Sequence, residues 1–262
     1  MKLSLEQIRD FQVPAGSLGL WWLGQAGFII KSPSGVVAAL DAYLSDSCGP
    51  LAKGIGFDFS RLYSPPMEAG ELAGVDVYML SHSHQDHLDP DTIATYRACG
   101  GRGPYVAPHY AAAKLAALGV EENEIIRTWP GNCVCFKDFE IRTTFAVPFG
   151  DDDLTHVGYV VCVSGVSIYF TGDTAYHEAV GISASAHKPD IMVAVINGAF
   201  RNLTAADAAR LAHQIQPRTV IPCHHDLFVD GRVDPQSLRL NLFVYGMAER
   251  FKSLEVGKGY VF

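Results

Sequence analysis

Apolar residues in this chain fall mostly in short unbroken runs bounded by glycine, proline and small polar residues. That is the pattern of strands covered on both faces. GLWWLGQAGFII and SGVVAALDAYL are two such runs, separated by the turn KSPSG, and VDVYMLSH is a third. The pattern then changes to helical spacing. DPDTIATYRACG reads as a helix starting near Asp89 and ending at Gly100, and PHYAAAKLAALG as a second, closed by Gly119. Strands return in EIIRTW, in CVCFKDFEIRTTFAV and in HVGYVVCVSGVSIYFTGD, where Ser164-Gly165 makes a hairpin turn between YVVCV and VSIYF. DIMVAVING is another apolar strand. TAADAARLAHQI opens on Thr204 as N-cap and sets Ala205, Ala208, Ala209, Ala212 and Ile215 on one face. TVIPCHH reads as a strand, DPQSLRLNLFVYGMAERF as the last helix and SLEV as a terminal strand.

Each half of the chain is thus a run of strands followed by helices, with no fixed repeat and no linker long or polar enough to mark a boundary. Two sheets packed face to face with helices outside would bury this much strand. The expectation is an α/β fold, a four-layer αβ/βα sandwich, in a single domain over residues 1–262.

Composition narrows the function classes. A formal net charge of −8 with scattered Lys and Arg argues against nucleic-acid binding, which depends on neutralising phosphates. No apolar run approaches the roughly 20 residues that span a bilayer. MKLSLEQIRDFQVP carries Glu and Asp where a signal peptide has an apolar core, so a cytoplasmic location is expected. The six cysteines form no C-x-x-C pair and read as small buried apolar residues, except Cys223, which stands next to two histidines.

The candidate chemistry lies in SHSHQDHLDP, where three of the ten histidines and Asp86 fall within six positions at the end of the VDVYML strand. Further ligand-type residues stand where later strands meet loops: Asp173 in YFTGDTAYH, His224 in VIPCHHD and, before a strand, His156 in DDDLTHVGY. His82, His84 and His156 would hold one metal ion, and Asp86, His87 and His224 another, with Asp173 as a bridge. Imidazole with carboxylate suits zinc, and also manganese or iron. For His156 the competing reading is a loop histidine that caps a strand. For Asp41 two readings stand level: a turn residue, or an acceptor for a ligand histidine or neighbouring backbone.

His82-x-His84-x-Asp86-His87, followed by Thr171-Gly172-Asp173 and Ile221-Pro222-Cys223-His224, resembles the signature of the metallo-β-lactamase superfamily. The opening Trp22-Leu23-Gly24-Gln25-Ala26-Gly27-Phe28 and Asp41 in LDAYLSD also fit, so the resemblance covers nearly the whole chain. IPCHHDLF with VDPQSLR is similar to the ascorbate-6-phosphate lactonase branch, where a metal-bound hydroxide opens the lactone ring of a phosphorylated sugar acid. The resemblance implies the metallo-β-lactamase fold, two divalent ions (Zn or Mn) and hydrolysis of a small lactone or ester, a phosphorylated sugar lactone among the candidates. It implies that Asp86 orients the nucleophile and returns its proton to the leaving oxygen. Tyr176 and His225 flank the site in sequence and are expected to touch a small-molecule substrate. The chain departs from the branch by its shortness and by Thr174-Ala175-Tyr176, where a histidine is expected near Ala175. Rival functions on the same fold are a phosphodiesterase or nuclease, and a non-hydrolytic di-iron redox protein. LNLFVYGMA suggests either a homo-oligomer interface or a packed helix.

Overall fold

The structure, a computed structural model, describes residues 2–51, 54, 56–150 and 152–262. After a short capped helix, α1 (Leu5–Asp10), six strands follow: β1 (Gly19–Gly24), β2 (Gly27–Lys31), β3 (Val37–Leu40), β4 (Val77–Met79), β5 (Tyr105–Ala107) and β6 (Ile125–Arg127). β1, β2 and β3 pair antiparallel, and β3 through β6 pair parallel. Parallel neighbours need crossovers. Helix α2 (Pro90–Ala98) joins β4 to β5, and α3 (His109–Ala117) joins β5 to β6.

The second sheet comprises β7 (Cys133–Phe136), β8 (Phe139–Phe145), β9 (Val157–Val163), β10 (Val166–Phe170), β11 (Ile191–Val195) and β12 (Thr219–Cys223), in the order β12-β11-β10-β9-β8-β7. Helices α4 (Glu178–Ser185) and α5 (Ala205–Ile215) make its two parallel crossovers. After α6 (Gln236–Val244), the last strand, β13 (Gly259–Val261), returns to the first sheet beside β1.

One core lies between the sheets. Trp22, Phe28 and Leu40 of the first meet Ile141, Tyr159 and Phe170 of the second, with the Phe28 and Phe170 rings 5.2 Å apart. Residues on the opposite face of the first sheet, Trp21, Ile29 and Tyr78, pack outward with Ile93 and Tyr96 of α2 and Leu115 of α3. This two-sided burial explains why the strands read as continuous apolar runs. On the other side Val180, Ala208 and Ala212 cover the second sheet. Thr204 caps α5 with a reciprocal bond to Asp207. The result is the expected four-layer αβ/βα sandwich.

Three sequence readings are corrected. Of the six cysteines only Cys48 and Cys223 are buried; Cys99, Cys133 and Cys135 are exposed and Cys162 is half-buried. GLWWLGQAGFII is a tight hairpin of two strands, turned at Gln25 and Ala26. SLEV carries no strand, and the terminal strand is Gly259–Val261. Helix α6 leaves Leu240, Phe243 and Val244 70%, 74% and 76% exposed. No helix among the described residues is long and apolar enough to cross a membrane.

Candidate metal centre

The site is assembled from loops that leave the strand ends. The loop after β4 carries Ser81 to His87. Val157 N–H donates to the Ser81 carbonyl at 3.0 Å, which ties the entry of β9 to that loop and sets the His156 ring 3.9 Å from that of His82. Buried Asp153 adds a second tie, accepting from Ser83 N–H at 2.8 Å and Thr155 N–H at 2.7 Å. Burial acts against its ionisation, but these hydrogen bonds outweigh it and hold the carboxyl below its usual range. Asp173 follows β10 after Gly172, whose φ is +60°; a Cβ there would meet the Val157 carbonyl at 2.5 Å. His224 follows β12, and its N–H donates to the Gln25 carbonyl at 2.9 Å. Gln25, Asp41 and His224 all have left-handed backbone, with φ of 51°, 43° and 58°. Non-glycine residues rarely adopt it, and such strain concentrates at functional sites.

The hydrogen bonds behind the histidines fix which ring nitrogen faces forward. Asp41, 1% exposed, accepts from Ser81 N–H at 2.8 Å, from the Ser81 hydroxyl at 2.5 Å and from His87 Nδ1–H at 2.9 Å. The Ser81 hydroxyl thereby spends its single hydrogen on Asp41. At 2.9 Å from His82 Nδ1 it can only accept, so the His82 proton is also on Nδ1. His156 Nδ1–H donates to the Asp173 carbonyl at 3.1 Å. In all three rings Nε2 is left as a bare lone pair. His82 Nε2, His87 Nε2, His156 Nε2 and Asp173 Oδ1 are buried without a hydrogen-bond partner. Buried polar atoms are rarely left so. Four together, all lone-pair donors, fit a cation.

The donor atoms form two groups, each with its members within 4.8 Å of one another: His82, His84 and His156, and Asp86, His87 and His224. A third grouping, Asp41, His82 and His87, is the back of the same centre, already closed by the bonds just described. Asp173 Oδ1 lies 3.3 Å from His87 Nε2 and 3.5 Å from His224 Nε2. Asp86 Oδ2 lies 3.1 Å from His224 Nε2 and accepts from Gln25 Nε2 at 2.8 Å. Asn202 Nδ2 donates to Asp173 Oδ2 at 2.7 Å, turning Oδ1 inward.

Charge agrees with this geometry. Burial lowers the His82 pKa well below its ordinary value, and the neighbouring imidazoles add to the effect. At His87 burial pulls the same way, yet Asp173, Asp86 and Asp41 outweigh it and raise the pKa. Burial opposes ionisation of Asp173, and His224 and His87 outweigh it and hold the carboxyl well below its usual range. The carboxylates therefore favour positive charge between them, which a divalent ion would supply in place of a proton.

Residues 19–224 match a family described as the beta-lactamase superfamily domain. The chain belongs to the metallo-β-lactamase superfamily. It is 26% identical over 277 residues to a probable L-ascorbate-6-phosphate lactonase, UlaG, of Salmonella heidelberg (strain SL476), covering 90% of this chain and 77% of that protein. Two solved structures share the fold. Igni18, a metallo hydrolase of the archaeon Ignicoccus hospitalis, has a TM-score of 0.72 at 20% identity and covers 94% of this chain and 98% of its own. An isothiocyanate hydrolase from Delia radicum gut bacteria has a TM-score of 0.73 at 18% identity, covering 93% and 99%. As a metallo-hydrolase of this superfamily, the chain carries histidine and aspartate clusters whose donor atoms are spaced to hold divalent metal.

Other site residues of this superfamily member follow from its geometry. A cavity of about 460 Å³ opens over the centre, lined by His84, Asp86, His156, Asp173, His224 and His225 among others. His225 is 3% exposed, with both ring nitrogens unpartnered and its ring 5.0 Å from Trp22. Tyr176 does not line the cavity. Ala175 N–H bonds to the Val147 carbonyl and turns the chain outward, and Arg210 lies over the Tyr176 ring at 4.2 Å. Cys223 is buried in the core, and burial raises its thiol pKa. His177 caps α4 by accepting from Ala179 N–H. The sequence reading missed Gln25, Ser81, Asp153 and Asn202, which hold the histidines and carboxylates in place, and Asn197, whose buried Oδ1 is unpartnered at the cavity wall.

Proposed function

We propose that this protein hydrolyses a small lactone or ester at a pair of divalent ions, zinc or manganese. The observation that carries this reading is the set of four buried, unpartnered donor atoms, three of them in tautomers fixed from behind, with His156 and Asp173 of the set lining a cavity. His82, His84 and His156 would hold one ion and Asp86, His87 and His224 the other, with Asp173 between them. Bound there, such ions would lower the pKa of water toward ~7 and polarise an acyl oxygen.

The side chains supply the rest of the chemistry. Asp86, held by Gln25, faces the cavity and orients the attacking water. As the acyl C–O bond breaks, Asp86 passes the water's proton to the leaving oxygen, giving acid and alcohol. His225 has ring nitrogens free to hydrogen-bond the substrate. The 26% identical relative is named as a lactonase, which favours cyclic esters.

The test is a hydrolysis screen of protein loaded with Zn²⁺ or Mn²⁺ against sugar lactones, phosphorylated lactones, simple esters and cyclic phosphodiesters, with Asp86→Asn in parallel. Metal-dependent turnover of lactones or esters that collapses in Asp86→Asn is expected. Turnover confined to phosphodiesters, or unaffected by metal removal, would contradict the reading.

A further inference from the structure

Away from the metal donors, the cavity is walled by phenyl rings. Phe149, Phe200, Phe57, Phe59 and Phe228 all line it and form one chain of ring contacts. Successive centroids are 5.9, 5.1, 4.7 and 5.2 Å apart. These separations are favourable for aromatic pairs. The wall is not closed core, because Phe149 and Phe200 are 36% and 39% exposed. Phe200, at its centre, sits at a backbone cost. It and Arg201 are consecutive non-glycine residues in left-handed conformation, with φ of 51° and 61°. The loop is held there by Asn202 N–H to the Ala199 carbonyl and Leu203 N–H to the Thr174 carbonyl. The Asn202 side chain bonds Asp173. One short loop therefore places an aromatic face over the cavity and a carboxylate beneath it, and strain retained against the sterics marks functional positions.

Charge on the wall runs against anions. Outside the metal-donor set, the described lining residues include the acids Asp152, Asp226 and Asp230 and one base, Lys114. The Lys114 ammonium donates to the Ser83 carbonyl at 2.6 Å. Arg201 stacks on Phe149 at 5.8 Å and is not part of the lining. Among the described lining residues, a phosphate remote from the reacting acyl group would meet mainly carboxylates and phenyl rings, with Lys114 already donating to Ser83, where phosphate recognition calls for guanidinium or ammonium groups.

We infer that the substrates are uncharged esters or lactones bearing an apolar, preferentially aryl, substituent, selected over phosphorylated ones by the phenylalanine wall centred on Phe200. The inference rests on the hydrolase reading for the reaction and on the wall for the substituent. A cavity of about 460 Å³, mostly apolar with a few convergent polar groups, matches a small-ligand site.

Two measurements test it on the full chain. The first compares kcat/KM of the zinc-loaded enzyme for γ-phenyl-γ-butyrolactone and for the γ-(phosphooxymethyl) lactone. The second titrates zinc-loaded and chelator-stripped protein calorimetrically with 5-phenylpyrrolidin-2-one, the lactam that resists hydrolysis. The phenyl lactone should be preferred by at least ~10-fold. Phe200→Ala and Phe59→Ala should each lose at least ~10-fold, through KM and through lactam affinity alike, while Phe200→Leu keeps most of both. Turnover of neither lactone, with lactam binding that depends on both phenylalanines, upholds the wall as an aryl-binding surface and overturns the hydrolase reading instead. Equal or better use of the phosphorylated lactone, or lactam affinity indifferent to both phenylalanines, would overturn the inference.

Discussion

Replacing Asp41 by asparagine should disarm both groups of metal donors without removing a side chain from either. Asp41 Oδ1 accepts from Ser81 N–H, and Oδ2 accepts from the Ser81 hydroxyl and from His87 Nδ1–H. Asparagine keeps one acceptor. With that oxygen opposite Ser81 N–H, the amide NH₂ takes the Oδ2 position and donates to Ser81 Oγ and His87 Nδ1. His87 must then carry its proton on Nε2, where the lone pair had pointed at the centre. The Ser81 hydroxyl, released from Asp41, can donate to His82 Nδ1 and reverse that ring as well. Asparagine tolerates the φ of 43° at this position, so backbone strain does not confuse the outcome. Losing such a partner behind a ligand typically costs ~10–100-fold in metal affinity, about 1.4–2.7 kcal/mol. Competition of the protein with a chromogenic chelator for Zn²⁺ measures it, with the melting curve as a check on folding. Ser81→Ala removes the His82 partner but leaves Asp41 on His87, so it should weaken only one of the two ions. A folded Asp41→Asn protein that binds both ions as tightly as the parent would refute the tautomer argument.

Asp86→Asn should lower turnover at least ~10²-fold with the fold intact, measured as kcat in excess metal, because a general acid–base group is lost. His156→Ala should weaken the ion at His82 and His84, with activity partly restored by added metal; His177→Ala, which removes only a helix cap, should leave metal affinity unchanged. Asp153 has a depressed carboxyl pKa in the folded protein, so it stabilises above its unfolded pKa of ~3.9 and that stability is lost as pH falls through the folded value. Asp153→Asn should therefore unfold at lower denaturant concentration near neutral pH and show a shallower acid limb; a parallel shift at all pH values would contradict this.

The sandwich was legible because doubly covered strands leave unbroken apolar runs, and because the helix stops Gly100 and Gly119 and the cap Thr204 are local signals. The histidine cluster was legible for the same reason: His82, His84, Asp86 and His87 share one loop. What the sequence hid are partners set by long-range pairing. Gln25 looked like part of an apolar run, because nothing in its neighbours shows that the chain reverses there and aims its amide at Asp86, 61 positions on. Asp153 was one of three consecutive aspartates, distinguished only when Ser83 is brought to it. Tyr176 misled by nearness in sequence: the bond from Ala175 to Val147 carries it off the cavity and under Arg210. The terminal strand fell three residues beyond SLEV, because β1 offers its edge to Gly259–Val261.

The central claim is that the two donor groups are a paired metal site. Elemental analysis of protein purified without chelator, and again after incubation with Zn²⁺ or Mn²⁺ and desalting, tests it most directly. Roughly two ions per chain are expected, as shared carboxylates favour paired sites, falling to about one in His156→Ala because the other group keeps its ligands. A folded protein that carries no metal and takes up neither ion would contradict the account.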